Sequence, residues 1–243
     1  MSGGLERAAH AFWNHARLRD LFPEFLLVDY SISRATTPVM EAAYAVARTR
    51  SDSDPVAACV AEYLSRHIPE ELHHDEWLLA DLEALGQTRE QVLESLPSPT
   101  AAALVGAQYY WIFHAHPVSL LGYLAVLEGE PPSTVFLEEV LVKSGLPAKA
   151  FRTFIRHGHL DPQHRDDLND ALDRMPLNAQ HTALVGISAI QTVHWLRSAF
   201  EELVDCTLTY SQLGPEVDRI SPSVPIGQGL GDKRRGLGGG SRT

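Results

Sequence analysis

Only two cysteines occur in the 243 residues, Cys59 and Cys206. They lie far apart and neither has a CxxC partner. A disulfide scaffold and a thiolate metal cluster are therefore not expected, and a reduced cytoplasmic setting fits. Long apolar runs are also missing. No stretch approaches the roughly 20 residues a membrane span needs, and the opening MSGGLERAAH lacks the apolar core of a signal peptide. Positive charge is scarce, with 20 Lys and Arg against 31 Asp and Glu, a net charge of −11. That balance argues against nucleic acid and anionic membranes as main partners. Strand signals are absent as well: no sustained alternation, no Asn-Gly hairpin turn, and no repeat of about 20–50 residues. What the chain does have is 44% hydrophobic content, enough for one large domain and its core.

Apolar residues recur at three-to-four spacing along most of the chain, which predicts an all-α fold. Residues 5–30 and 36–50 read as two helices. "SDSDP" supplies Asp54 as N-cap and Pro55 as first helical residue of a helix running toward Leu85, kinked at Pro69 and stopped by Gly86. "PSPT" opens a long apolar helix from about Thr100 to Leu127, with Pro117 as its breaking point. Shorter helices follow at about 132–144 and 147–159. The latter continues through 160–174 with a bend at Pro162, and "PLN" precedes a last helix at about 178–208. From Gln212 the chain turns rich in Gly, Pro and Ser, with a basic cluster at Lys233–Arg235. The expected organisation is a helical domain over 1–211 and a disordered tail over 212–243 whose removal leaves the fold intact.

The most unusual stretch is "HGHLDPQH", residues 157–164, in which His157, Asp161 and His164 stand at i, i+4 and i+7. At about 100° per residue they fall within about 60° of helix circumference. Three polar groups on so narrow a stripe are costly to bury unless something binds them. "HIPEELHH", residues 67–74, repeats the pattern as His67, Glu71 and His74. With 12 His and 31 acidic residues, random placement gives roughly 0.08 occurrences of H-x-x-x-[DE]-x-x-H, and two are present. Two such helices facing each other predict a metal site of imidazole and carboxylate ligands inside a bundle. A pair of divalent ions needs more anionic ligands than Glu71 and Asp161 supply. Glu128 is the next candidate. It ends an apolar helix, where the helix dipole disfavours an anion, so a purely structural role would prefer Lys or Arg there. Glu130 follows in a loop. His10, His15, His181 and His194 read as ordinary histidines, and Asp75, Glu76, Asp81 and Glu83 as a solvated face. A surface stripe paired with Arg156 and Arg165 is the plain alternative for the 157–164 motif.

The segments "EELHHDEWLLADLEALG", "HPVSLLGYLAVLEGEPP" and "HGHLDPQH", in this order and spacing, resemble the heme-oxygenase-like diiron oxidases and oxygenases, also described as iron-containing redox enzymes. The resemblance spans about residues 5–205. It implies a seven-helix heme-oxygenase-like bundle holding two Fe(II) ions per chain, with manganese as the alternative. It implies the ligand set Glu71, His74, Glu128, His157, Asp161 and His164. Glu70 competes for the place of Glu71, and His67 departs from the family pattern as an outer partner or extra ligand. The partners implied are dioxygen and a small-molecule substrate, with an electron donor where the reaction requires one; a homodimer is compatible with it.

The activity implied is oxidation of a C–H bond in a small free amino acid or amine, ending in desaturation, cyclisation or cleavage within a biosynthetic pathway. N-oxygenation of an amine is the alternative. Arg152, Arg156 and Arg197 are candidates for holding a substrate carboxylate, although each also reads as a plain surface charge. From other classes come a metal-free helical binding protein of the same fold and a thiaminase-type hydrolase. The first would be expected to have lost ligands, and none is missing. The second needs an activated cysteine, and neither Cys59 nor Cys206 has a base partner in sequence.

Overall fold

The computed structural model describes residues 3–129 and 132–205. Among them are ten α-helices, two short 3-10 turns and no strand, as the periodicity predicts. The expected tail over 212–243, Cys206 and Glu130 lie outside the described residues. Among the described residues no helix is long and apolar enough to cross a membrane.

The first helices divide differently from expectation. Helix α1 is Gly3–Trp13 and α2 is a single 33-residue helix, Leu18–Arg50. The break falls at residues 14–17. There Asn14 Nδ2 donates to the His10 carbonyl at 2.9 Å and His15 Nδ1 accepts from the Arg17 amide at 3.1 Å. The Ser31–Ala35 stretch, read as a gap, stays helical because its hydroxyls bond back within the helix. Ser31 Oγ donates to the Leu27 carbonyl and Thr36 Oγ1 to that of Ile32.

The helix expected over 55–85 is two. Helix α3, Pro55–Glu71, is capped by Asp54, whose side chain accepts from the Val56 and Ala57 amides. It runs unbroken through Pro69 and ends two residues later. Leu72 is extended and His73 adopts φ 72°, ψ 15°, after which α4, His74–Glu83, sets off in a new direction. Histidine is one of the few side chains that enters this left-handed region with any frequency.

Helix α5, Arg89–Glu94, was not expected; Thr88 and Gln91 close a capping box at its start. The long apolar segment breaks at Pro117 as expected, into α6, Pro99–His114, a 3-10 turn at Pro117–Ser119, and α7, Leu120–Leu127. His116 secures this corner. Its Nδ1 accepts from the Val118 amide, so Nε2 carries the proton donated to Asp54 Oδ2 at 2.8 Å. Helix α8, Thr134–Ser144, is capped by Ser133. Helix α9, Arg152–Arg174, carries Pro162 without a break, and α10, Ala179–Asp205, begins at the Asn178 cap, whose Oδ1 accepts from the His181 amide.

Helix α2 packs against α3, α4 and α6, while α10 packs against α1, α6 and α7. The core has two parts. One is aliphatic, built from α2, α3, α6 and α7 around Met40, Leu64, Leu104 and Leu124. The other is aromatic, where Phe12, Phe22 and Phe151 join α1 and the first half of α2 to α4. Phe22 stacks on Phe151 at 4.6 Å between ring centres.

Candidate metal centre

Four helix segments supply the chemistry-bearing side chains: the end of α3, the start of α4, the C-cap of α7 and the first half of α9. Their donor atoms gather into two groups, each within 4.8 Å. One group is His67, Glu128 and His164, all buried. The other is Glu71, His74 and His157. The break at Leu72–His73 separates His74 from His67. On one straight helix His67, Glu71 and His74 would form a single stripe. Turning the chain after Glu71 lets His74 Nδ1 come within 2.9 Å of Glu71 Oε2, while His67 faces the other way, toward α7.

The groups also touch one another. His164 Nδ1 lies 3.2 Å from Glu71 Oε1 and 4.0 Å from Glu128 Oε2. His157 Nε2 stands 3.1 Å from His74 Nδ1, and His67 Nε2 stands 3.1 Å from Glu128 Oε1. His67 meets His164 edge to face, with ring centres 4.9 Å apart.

Two of these buried atoms have no hydrogen bond: Glu128 Oε2 and His164 Nδ1. The second is near a carboxylate oxygen yet off the direction a hydrogen bond requires. Native interiors rarely leave such atoms unpaired. Donors aimed at a common point between them, rather than at each other, are what a bound cation requires. The set is imidazole and carboxylate with no thiolate, the chemistry that suits iron or manganese.

The electrostatics agree with strong mutual coupling. Burial alone would lower the proton affinity of His67, but the Glu128 carboxylate against its ring, with Glu71 and Glu70 nearby, raises its pKa to about 9. Burial opposes ionisation of Glu71, yet His164 and His74 hold its carboxyl well below the ordinary range. Glu128 is raised by burial. His157 is lowered to about 4, first by burial and then by His74 beside it.

Each expected residue can be placed. Glu71, His74 and His157 are together; Glu128 and His164 are together with His67. Glu70, weighed against Glu71, is half exposed and contacts His67 Nδ1 at 3.3 Å from the outside. Asp161 is buried on the same face of α9 but joins neither group. Burial, then the carboxylates of Glu128 and Glu71, raise its pKa to about 7. His67 is the residue sequence reasoning left at the margin, although the repeated motif contains it.

Asp81, read as solvated, is fully buried, with Oδ2 accepting from the Thr153 amide at 2.9 Å and Oδ1 from Arg152 Nε at 3.3 Å. That accounts for one of the three candidate arginines. Arg156 lies over Trp77, and Arg197 pairs with Glu201 at 2.7 Å. Cys59 packs at the edge of the aliphatic core.

No curated protein matches the chain. Solved structures share its fold, two of them as follows. A domain of unknown function with a heme oxygenase-like fold from Shewanella denitrificans OS217 is 18% identical, with TM-score 0.68 and 84% of each chain covered. A TenA homolog from Pseudomonas syringae pv. tomato DC3000 is 15% identical, with TM-score 0.61, covering 83% of this chain and 90% of its own. The fold is thus heme-oxygenase-like. The family model of iron-containing redox enzymes matches residues 24–194, which include every residue of both donor groups, and the chain belongs to that family.

Proposed function

We propose that the two donor groups hold two iron ions side by side and that the protein is a dioxygen-dependent oxidase of a small amine or free amino acid. The observation that carries this is the pair of adjacent three-residue groups, one of them fully buried, with Glu128 Oε2 and His164 Nδ1 of the buried group unpaired. His67, Glu128 and His164 would hold one ion, and Glu71, His74 and His157 the other. When bound, iron would supply the activation of dioxygen, and dioxygen would be the oxidant.

The chain's own residues do the rest. Glu71 and Glu128 would each bring a negative charge to one of the two groups and offset the repulsion of two cations held there. Asp161, buried beside both carboxylates, completes the ligand set as a third anion or holds a proton at its carboxyl until one is needed. The left-handed turn at His73 sets α4 off from α3 and so places His74 against Glu71.

The test is anaerobic loading with Fe(II), followed by oxygen exposure in stopped flow with a panel of amines and amino acids. Two equivalents of iron should bind, oxygen should be consumed, and a visible band should decay faster with the true substrate. A protein that takes up no iron, or that binds it and consumes no oxygen with any candidate, is not this oxidase. N-oxygenation and C–H oxidation separate by product mass and by whether the amine nitrogen carries the added oxygen.

A further inference from the structure

Between α2 and α10 lies a cavity of about 50 Å³ that the metal ligands do not line. Phe25, Val28 and Ile32 form one wall; Leu196, Ala199 and Phe200 form the other. The one polar side chain in the lining is Asp29. Among the described residues it has no hydrogen-bond or ion-pair partner. Asp29 is half-buried, whereas Asp81 is fully buried and satisfied by an amide and a guanidinium. Burial, reinforced by the Asp81 charge on α4, raises the Asp29 pKa to about 7. A carboxyl set among apolar walls without a protein partner is partly desolvated, which costs stability unless a cation comes to it.

The cavity borders the helix that carries the metal ligands: Phe25 of its wall stacks on Phe154 of α9 at 5.8 Å between ring centres, three residues before His157. The Asp29 charge acts on Asp161 of α9 and on Tyr123 of α7, and Tyr123 in turn feels Glu128 and Glu71. By the measure in which a water needs about 10–15 Å³, the space admits a group of a few heavy atoms. Apolar walls suit an alkyl chain, and one carboxylate suits one cationic nitrogen. A carboxylate ligand would be repelled by Asp29, and a guanidinium would leave most of its five N–H donors unpaired against the walls. Given the oxidase function proposed above, we infer that this cavity binds the substrate's alkylammonium end, with Asp29 as its counter-ion, so that the substrate is an amine or amino acid with a short apolar segment beside its cationic nitrogen.

The experiment is titration calorimetry on the full-length, iron-containing protein with n-butylammonium chloride, and with n-butanol and butyrate for comparison. Butylammonium should bind best. Near pH 6.5 its binding should release protons from Asp29, seen as heat that depends on the buffer's ionisation enthalpy. Asp29→Asn should weaken binding roughly tenfold to a hundredfold and abolish proton release, with iron content unchanged. Ala199→Leu, which narrows the cavity but keeps the charge, should weaken binding too.

The sign of the stability effect gives a further check on Asp29. With a folded pKa of about 7 against the ordinary 3.8, the folded state holds the extra proton, so Asp29 lowers stability progressively as pH rises between those values. Asp29→Asn should therefore raise the melting temperature more at about pH 8 than at about pH 5. Equal binding of butanol or butyrate, or unchanged butylammonium binding in both variants, would overturn the inference. Oxygen consumption without amine binding removes this site alone. Amine binding without iron-dependent oxygen chemistry leaves the site and removes the oxidase.

Discussion

His164→Ala is expected to lower bound iron from two equivalents to one or fewer and to reduce oxygen-dependent turnover to background. The reason is its place between the groups, with Nδ1 3.2 Å from Glu71 Oε1 and 4.0 Å from Glu128 Oε2. Removing an outer partner of a metal ligand costs roughly 10–100-fold in affinity or activity, and a side chain at the meeting point of both groups should cost at least that. The stability of the metal-free chain offers a discriminating reading. His164 Nδ1 makes no hydrogen bond, so its loss costs the metal-free chain only the ion pair with Glu71 Oε1. A structural histidine would be missed with or without metal. A ligand would be missed chiefly when metal is added: the rise in melting temperature on iron loading should vanish, because that rise measures binding to the native state alone. His159→Ala, on the exposed side of the same helix, should leave iron content and turnover unchanged. Elemental analysis, oxygen uptake and thermal melts with and without iron decide the matter. Two equivalents of iron in the His164 variant would remove it from the centre.

The parts of this centre were legible to different degrees, for physical reasons. The stripe of His157, Asp161 and His164 could be read because a regular helix turns linear spacing into a face, and α9 stays regular through Pro162. Glu128 could be read because an anion at the end of an apolar helix opposes the dipole; the structure has it 7% exposed against His67. The arrangement around His67 could not be read. Spacing put His67, Glu71 and His74 on one face of one helix, whereas the turn at His73, φ 72°, puts His74 on a separate helix and in a different group from His67. Nothing local in Leu72–His73 announces that turn; what holds it is the packing of α4 against α2 and α9. The join of 5–30 to 36–50 into α2 was hidden for the opposite reason. Ser31 and Thr36 look like breakers in a string of letters, and become neutral once their hydroxyls bond the preceding turn. Asp29 had no sequence signal at all. One acid among apolar residues at helical spacing reads as a surface position, and only the α10 side chains across from it make a cavity.

Gly122→Ala should be the most damaging single-methyl change in the domain. A Cβ at Gly122 would stand 2.1 Å from the Val185 carbonyl oxygen and 2.9 Å from the Ala189 amide nitrogen. Both atoms belong to the α10 backbone, so no rotamer change relieves the clash, and α7 must move away from α10 as a unit. Alanine favours a helix by about 1 kcal/mol over glycine, and that gain opposes the clash without matching it. A net loss of about 2–4 kcal/mol is expected, seen as a melting temperature lower by roughly 5–15 °C for a domain of this size. The opposite outcome is expected one turn away in the interface partner. Gly186 of α10 has nothing within 4 Å of its would-be Cβ, so Gly186→Ala should gain about 0.5–1 kcal/mol. The functional consequence follows from chain position. Gly122 lies on the helix that ends at Glu128, and α10 forms one wall of the Asp29 cavity. Pushing the two helices apart should draw Glu128 from His67 and loosen the cavity together, lowering both iron content and amine binding in protein that is still folded at low temperature. If the variant melts lower but keeps full iron and full amine affinity, the α7–α10 contact serves stability only, and the geometry of the centre is set by α3, α4 and α9.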